Sequence, residues 1–208
     1  MMKNIKEIWP EGMPRPDIPY SPAIQAGKWL FTSGQSASDL TSGIAEEAQV
    51  HPSFPYYSDP VAKQAEYVYK RVKQIMDAAG HLPEYVVRAN QWYVTKMKQD
   101  EYKIGDLTVN NKRYVEVKNG YFEKMSPPST GIGVRQLLVE GALMEVDFTA
   151  LFPQEGQTLE VISAPDVPKP GPGFAEGVRQ GNWVFLSGDI PTDWQGNWGT
   201  VGNEGGIH

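Results

Sequence analysis

Apolar residues along this chain recur with two different periods. Val61, Ala65, Val68, Val72, Ile75, Met76 and Ala79 follow one another at three- and four-residue steps. That spacing lays one apolar stripe along an α-helix. Asp59-Pro60 supplies an N-cap and a proline for the first turn, and Gly80 supplies the stop. Alternating or short continuous apolar runs predict strands at residues 23–25 and 29–33, joined by Ala-Gly-Lys, and at 85–94, 132–138 and 142–151. Within 85–94, alternation sets Val87, Ala89, Gln91 and Tyr93 on the face opposite Val86, Arg88, Asn90 and Trp92. A second helix is expected within residues 100–122, its start blurred by Gly105 and Asn110-Asn111. Residues 36–60, rich in Ser, Pro, Gly and Tyr, read as a long loop. The element order is α+β.

The pattern then starts again. Residues 168–189 replay residues 14–35 without a gap: Tyr20 and Phe174, Gly27 and Gly181, Trp29 and Trp183, Ser33 and Ser187 are each 154 residues apart. Self-similarity of this kind marks a repeated unit. The expected organisation is one complete unit over residues 1–154 and the opening part of a second over 155–208, with a Pro- and Gly-rich linker at 165–173. The second copy carries strands without the helix that would cover them. Such a half-sheet exposes an apolar face and free edges, so a second chain carrying the missing part is the expected partner. A nicked polypeptide, an autocatalytically cleaved precursor and an artificial fragment all fit that pattern. Gly202 to Gly206, with Asn203, reads as an exposed cleavage loop.

Composition narrows the function classes. A net charge of −6 argues against nucleic acid or an anionic membrane as the partner. No apolar run approaches the ~20 residues of a membrane span, and the N-terminal stretch has no signal-peptide pattern. Zero cysteines exclude disulfides and thiol chemistry and suit the cytoplasm. With only His51, His81 and His208, a clustered His or Cys metal site is not expected, nor is any cofactor.

Several motifs in register carry a family resemblance. They are Pro19 to Ile24, the strand ending Thr32-Ser33-Gly34-Gln35, and the Gln64-led helix ending Ala78-Ala79-Gly80. The Pro-rich entry into a Gly-x-Gly-Val strand at 127–134 and the closing Gly141 to Val146 complete the set. Together they resemble the Rid family, also called YjgF/YER057c/UK114 (RidA-like), over residues 14–152 and again over 168–190. The resemblance implies a chorismate-mutase-like α+β unit, a mixed sheet with two helices on one face. It also implies trimeric rings with small-molecule clefts between subunits. Many members hydrolyse reactive enamines and imines to a ketone and ammonia.

The family's site maps onto this chain only in part. Its tyrosine falls on Tyr20, which either donates to a substrate or packs as a rim aromatic on the next subunit. Its strand glutamate falls on Glu145, whose implied role is to hold or activate the attacking water. The other reading of Glu145 is a solvated strand residue alternating with Met144 and Val146. Asp147 shares its face by the strand's period of two. Ser33 matches a serine that either binds substrate or bonds to backbone in a turn. Deaminating members place a substrate-gripping arginine where this chain has Ser129, in the run Pro127-Pro128-Ser129-Thr130-Gly131. A neutral hydroxyl does not replace a bidentate guanidinium. Ser129, Thr130, Gly131 and Arg135 remain candidate binding residues. Arg135, on the same predicted face, stands about 20 Å from Ser129 at ordinary strand rise. Gly131 and Gly133 either present N–H groups to an anion or only relieve crowding at a subunit contact. The expected activity is a small-molecule hydrolase of the enamine/imine deaminase type. The alternatives are a non-catalytic binding module and a structural subunit of a two-chain complex.

Overall fold

A computed structural model describes residues 5–56, 58–96, 106–107, 111–123, 125–154, 157–164 and 175–188. The first unit is a mixed sheet covered on one face by two helices. Its strands are β1 (Ile5–Ile8), β2 (Ala23–Ala26), β3 (Trp29–Thr32), β4 (Gln35–Ser36), β5 (Val86–Lys96), β6 (Asp106–Leu107), β7 (Ser129–Val134) and β8 (Met144–Leu151). They run in the order β1-β2-β3-β8-β5-β6, with β4 also on β8 and β7 also on β5. Every pairing is antiparallel except β5 with β7, which makes the sheet mixed. The helices are α1 (Pro60–Ala79) and α2 (Asn111–Tyr121).

The local signals for α1 act as expected. Asp59 accepts from the amides of Val61 and Ala62 at 2.8 and 3.1 Å, and Gly80 closes the helix at φ 69°. The stripe Val61 to Met76 packs with Leu30, Tyr114 and the inward residues of β8: Met144, Val146, Phe148 and Ala150. Glu145, Asp147 and Thr149 alternate onto the opposite face, half-buried. Gln64 fixes the start of β8 by donating to Gly141 O and accepting from Leu143 N, both at 2.9 Å.

Four details depart from the sequence reading. The stretch 36–60 opens with β4, pairs Ser38 with Ile44 and holds a 3-10 turn at Glu46–Ala48. In β5 a register shift between Val86 and Arg88 breaks the alternation. Val86 therefore joins the helix-side core with Ala89, while Val87 is buried on the other side. β7 begins at Ser129 and ends at Val134, so Arg135 lies past the strand and exposed. β1 was not anticipated, because only Ile8 of its four residues is buried.

The later residues form a separate three-stranded sheet, β9 (Glu160–Ile162), β10 (Gly177–Gln180) and β11 (Trp183–Leu186), in the order β11-β10-β9. Its details stand 154 residues from those of the first sheet. Ile8 pairs with Ala23 and Ile162 with Gly177; Ala23 pairs with Thr32 and Gly177 with Leu186. The turn glycines Gly27 and Gly181 have φ of 61° and 59°. This sheet packs on the first through Val87, Leu151 and Val178, with Trp29 and Phe185 around them. In the first sheet β3 pairs with β8; among the described residues β11 has only β10. Trp183, Val184 and Leu186 are exposed. The expected linker at 165–173, Phe174 and the proposed cleavage loop lie outside the described residues.

Candidate functional site

β8 sets Glu145 on the face of the sheet away from the helices, paired with Ser36 of β4 and Trp92 of β5. The carboxylate lies over Gly34. A Cβ at that position would stand 2.7 Å from the Glu145 carboxyl carbon and 3.1 Å from its Cγ. Asp147, two residues on, accepts from Asn90 Nδ2 at 3.0 Å. Burial pushes both carboxyls above the ordinary carboxylate range. The charge of Asp147 raises Glu145 further, while the Asn90 bond and the Arg88 charge oppose the rise at Asp147.

Tyr20 stands within electrostatic reach of Glu145. Its hydroxyl accepts from Gln35 Nε2 at 2.9 Å, and the same nitrogen also donates to Ser33 O at 3.0 Å. The Tyr20 ring meets Trp9 edge to face at 6.0 Å. Burial raises its pKa; the Gln35 bond and the positive charge of Arg71 work against that rise. With Gln35 as donor, the Tyr20 proton is left to point at a ligand. Arg71 reaches in from α1. It is buried, gives Nη1 to Ser38 O, and has no partner for Nη2 among the described residues.

Of the predicted binding residues, Ser33 sits beside this cluster, but its hydroxyl donates to Ser21 O at 2.6 Å. That is the turn-hydroxyl reading. Ser129 and Thr130 lie on β7, across β5 from β8, against Ser187 and Gly188 of the later residues. The Ser129 amide donates to Ser187 Oγ at 2.9 Å, and its carbonyl accepts from Gly188 N at 3.0 Å. A Cβ on Gly188 would meet Thr130 Oγ1 at 2.9 Å. Gly131 and Gly133 face neighbours on β5, where added Cβ atoms would meet Tyr93 at 3.2 Å and Thr95 at 2.8 Å. Both glycines therefore leave room for side chains of β5 in their own chain. Arg135 joins neither group. The structure brings together Tyr20, Ser33 and Glu145, and sets Ser129, Thr130 and Gly131 on β7, across β5 from β8, with Thr130 opposite Asn90.

Sequence reasoning missed Gln35, Asn90 and Arg71. The first two are visible only through cross-strand register, and an arginine between Lys70 and Val72 reads as a solvated helix residue. A cleft of about 710 Å³, bounded by Ser42, Ile44, Gln64 and Glu140, lies apart from the cluster, and none of the predicted site residues lines it. Both Gln64 amide atoms are already engaged there.

A model of the family described as endoribonuclease L-PSP matches residues 11–152. The chain belongs to the endoribonuclease L-PSP family. A RutC family protein of Pyrococcus horikoshii is 28% identical over 149 residues, covering 72% of this chain and 98% of that one. Among solved structures, the Rid family protein YyfA of Yersinia pestis superposes with a TM-score of 0.53 at 22% identity, over 71% of this chain and 99% of its own. Yeast Mmf1 gives 0.53 at 18%, over 72% and 99%. TdcF of E. coli, solved with bound serine, gives 0.51 at 21%, over 70% and 98%. At these identities the structural likenesses speak for the fold, which is the α+β unit with two helices expected from the motifs. Among the described residues no helix is long and apolar enough to cross a membrane.

Proposed function

We propose that this protein is a small-molecule hydrolase that adds water across a C=N bond, of the enamine/imine deaminase type. The observation that carries the reading is the half-buried Glu145 carboxylate, seated over Gly34, beside Asp147 and within reach of Tyr20. A carboxylate held above its usual range is a better proton acceptor near neutral pH. Water attacks the carbon of the protonated imine while Glu145 takes one water proton, giving a neutral carbinolamine. Glu145 returns that proton to the nitrogen and accepts the hydroxyl proton as the C–N bond breaks, so the ketone or aldehyde forms, and the last proton leaves with ammonia as ammonium. Tyr20 donates to the polar end of the substrate.

Ser129 deepens the reading. It offers no charge where deaminating members have arginine, and its backbone is spent on Ser187 and Gly188. The substrates that suit such a cleft are imines without a carboxylate. The family's description names an endoribonuclease; a net charge of −6 and two carboxyls on the site face oppose a polyanion.

The same proposal covers assembly. The later residues are read as part of a second unit of the same kind, with units alternating in a trimer-like ring. The 154-residue correspondence supports it, as does β11, which pairs with β10 alone among the described residues. Ser187 covers Ser129, so Ser33 is the matching surface to cover an equivalent strand from the next unit, closing the Tyr20–Glu145 cleft.

The test is ammonia release from imines generated in situ. An amine oxidase supplies uncharged imines and an amino-acid oxidase supplies 2-imino acids. Acceleration of the uncharged set is expected. Acceleration confined to 2-imino acids, or none with either, would overturn the reading.

A further inference from the structure

The proposed reaction leaves a second cleft unused. It has a volume of about 400 Å³ and lies between the β2–β3 turn (Gly27 to Trp29) and the β10–β11 turn (Gly181 to Trp183), with Leu151 and Gln180 between them. Leu151 is six residues along β8 from Glu145, about 20 Å at ordinary strand rise, so this is a different place from the hydrolytic cluster.

Two observations point to a ligand. Gln180 is 2% exposed and lines the cleft; its Nε2 donates to Leu151 O at 2.9 Å, but its Oε1 has no partner among the described residues. A buried acceptor left empty is costly. The first hairpin has Ala26 at the corresponding position, so the turn itself does not call for a polar residue there. The second observation is the aromatic wall. Trp29 and Trp183 meet edge to face at 5.2 Å, yet Trp183 remains 55% exposed.

The remaining lining sets the chemistry. Gln154, Gln157 and Asn182 are neutral amides, and among the described lining residues there is no carboxylate and the one charge is the exposed Lys28. An exposed ammonium contributes little to holding an anion. The orphaned group is an acceptor, so the ligand must donate.

We propose that this cleft binds a small neutral ring molecule that lays an apolar face on Trp183 and donates an O–H or N–H to Gln180 Oε1. The volume falls in the range of small-ligand sites. A cyclic polyol and a cyclic amide share this chemistry, and the experiment separates them. The full chain, labelled with 5-fluorotryptophan, is titrated by ¹⁹F NMR with glucose, with δ-valerolactam, and with benzoate as an anion lacking a donor. Saturable shifts at Trp29 and Trp183 with glucose or with the lactam, and not with benzoate, are expected. Gln180→Leu should weaken that binding about tenfold, the size of one neutral hydrogen bond. Trp183→Ala, checked for an unchanged thermal melt, should abolish the Trp29 response. No saturable shift with either neutral probe would mean that water alone fills the cleft, and would overturn the proposal. So would equal binding of benzoate, or undiminished binding by the Trp183→Ala protein.

Discussion

Gly34 has no side chain because Glu145 occupies the space where one would stand. Gly34→Ala should leave the fold intact, since the group that must yield is the end of a flexible side chain. It should nevertheless displace the carboxylate, and a misplacement of about 1 Å can cost a hundredfold in rate. Steady-state kinetics beside a thermal melt check this: unchanged activity would separate Gly34 from the chemistry. The raised carboxyls make a second prediction at this scale. A carboxyl whose pKa is higher in the folded than in the unfolded state favours folding while protonated. That contribution fades as pH rises from the unfolded value through the raised one. Burial raises Glu145, and Asp147 adds to the rise. Glu145→Gln should therefore increase the urea midpoint at pH 7 and change it little well below the ordinary carboxylate range. A lower midpoint at pH 7 would show that the charged form is held favourably after all.

Elements respond to what their own residues supply and to what their neighbours impose. The cap of α1 is local: Asp59→Ala should cost about 1 kcal/mol in urea unfolding. The tyrosine cluster beneath the sheet is not local. Tyr69 and Tyr114 hydroxyls meet at 2.7 Å, and Tyr114 and Tyr93 both donate to Gln91 Oε1. Tyr114→Phe leaves Tyr69 without that partner in the core, and a loss of about 1–3 kcal/mol is expected. The same division explains what the sequence revealed. The stripe and caps of α1, and the alternation of β8 that sets Glu145 on the face away from the helices, are written in adjacent residues. The start of β7 is not, because Ser129 to Gly131 become strand by parallel pairing with β5, while the apolar Ile132 that marked the run is exposed. The shift after Val86 is likewise set by the match to β8. Tyr20 and Glu145 were legible through motif resemblance. Gln35 and Asn90 were not, since they reach the site only through register.

At the scale of the whole molecule, the later sheet leans on the first through a small apolar contact and a few polar ones. Val178 is fully buried between Val87 and Leu151, and Ser187 and Gly188 hold Ser129. Val178→Asp would bury an unpaired charge. It should release residues 175–188 to limited proteolysis while the first unit keeps its own melting transition, because none of its helix-side core is touched. Simultaneous loss of both would show one cooperative body. This contact also covers the start of β7, where Ser129 stands.

The most direct measurement compares wild type with Glu145→Gln for ammonia release from an uncharged imine supplied by an amine oxidase. Glutamine keeps the size of the side chain over Gly34 and removes its ability to accept a proton. Positioned general-base catalysis contributes about a hundred- to ten-thousandfold, so the variant should lose at least the lower figure while remaining folded. A folded Glu145→Gln protein that releases ammonia at the wild-type rate would contradict the assignment.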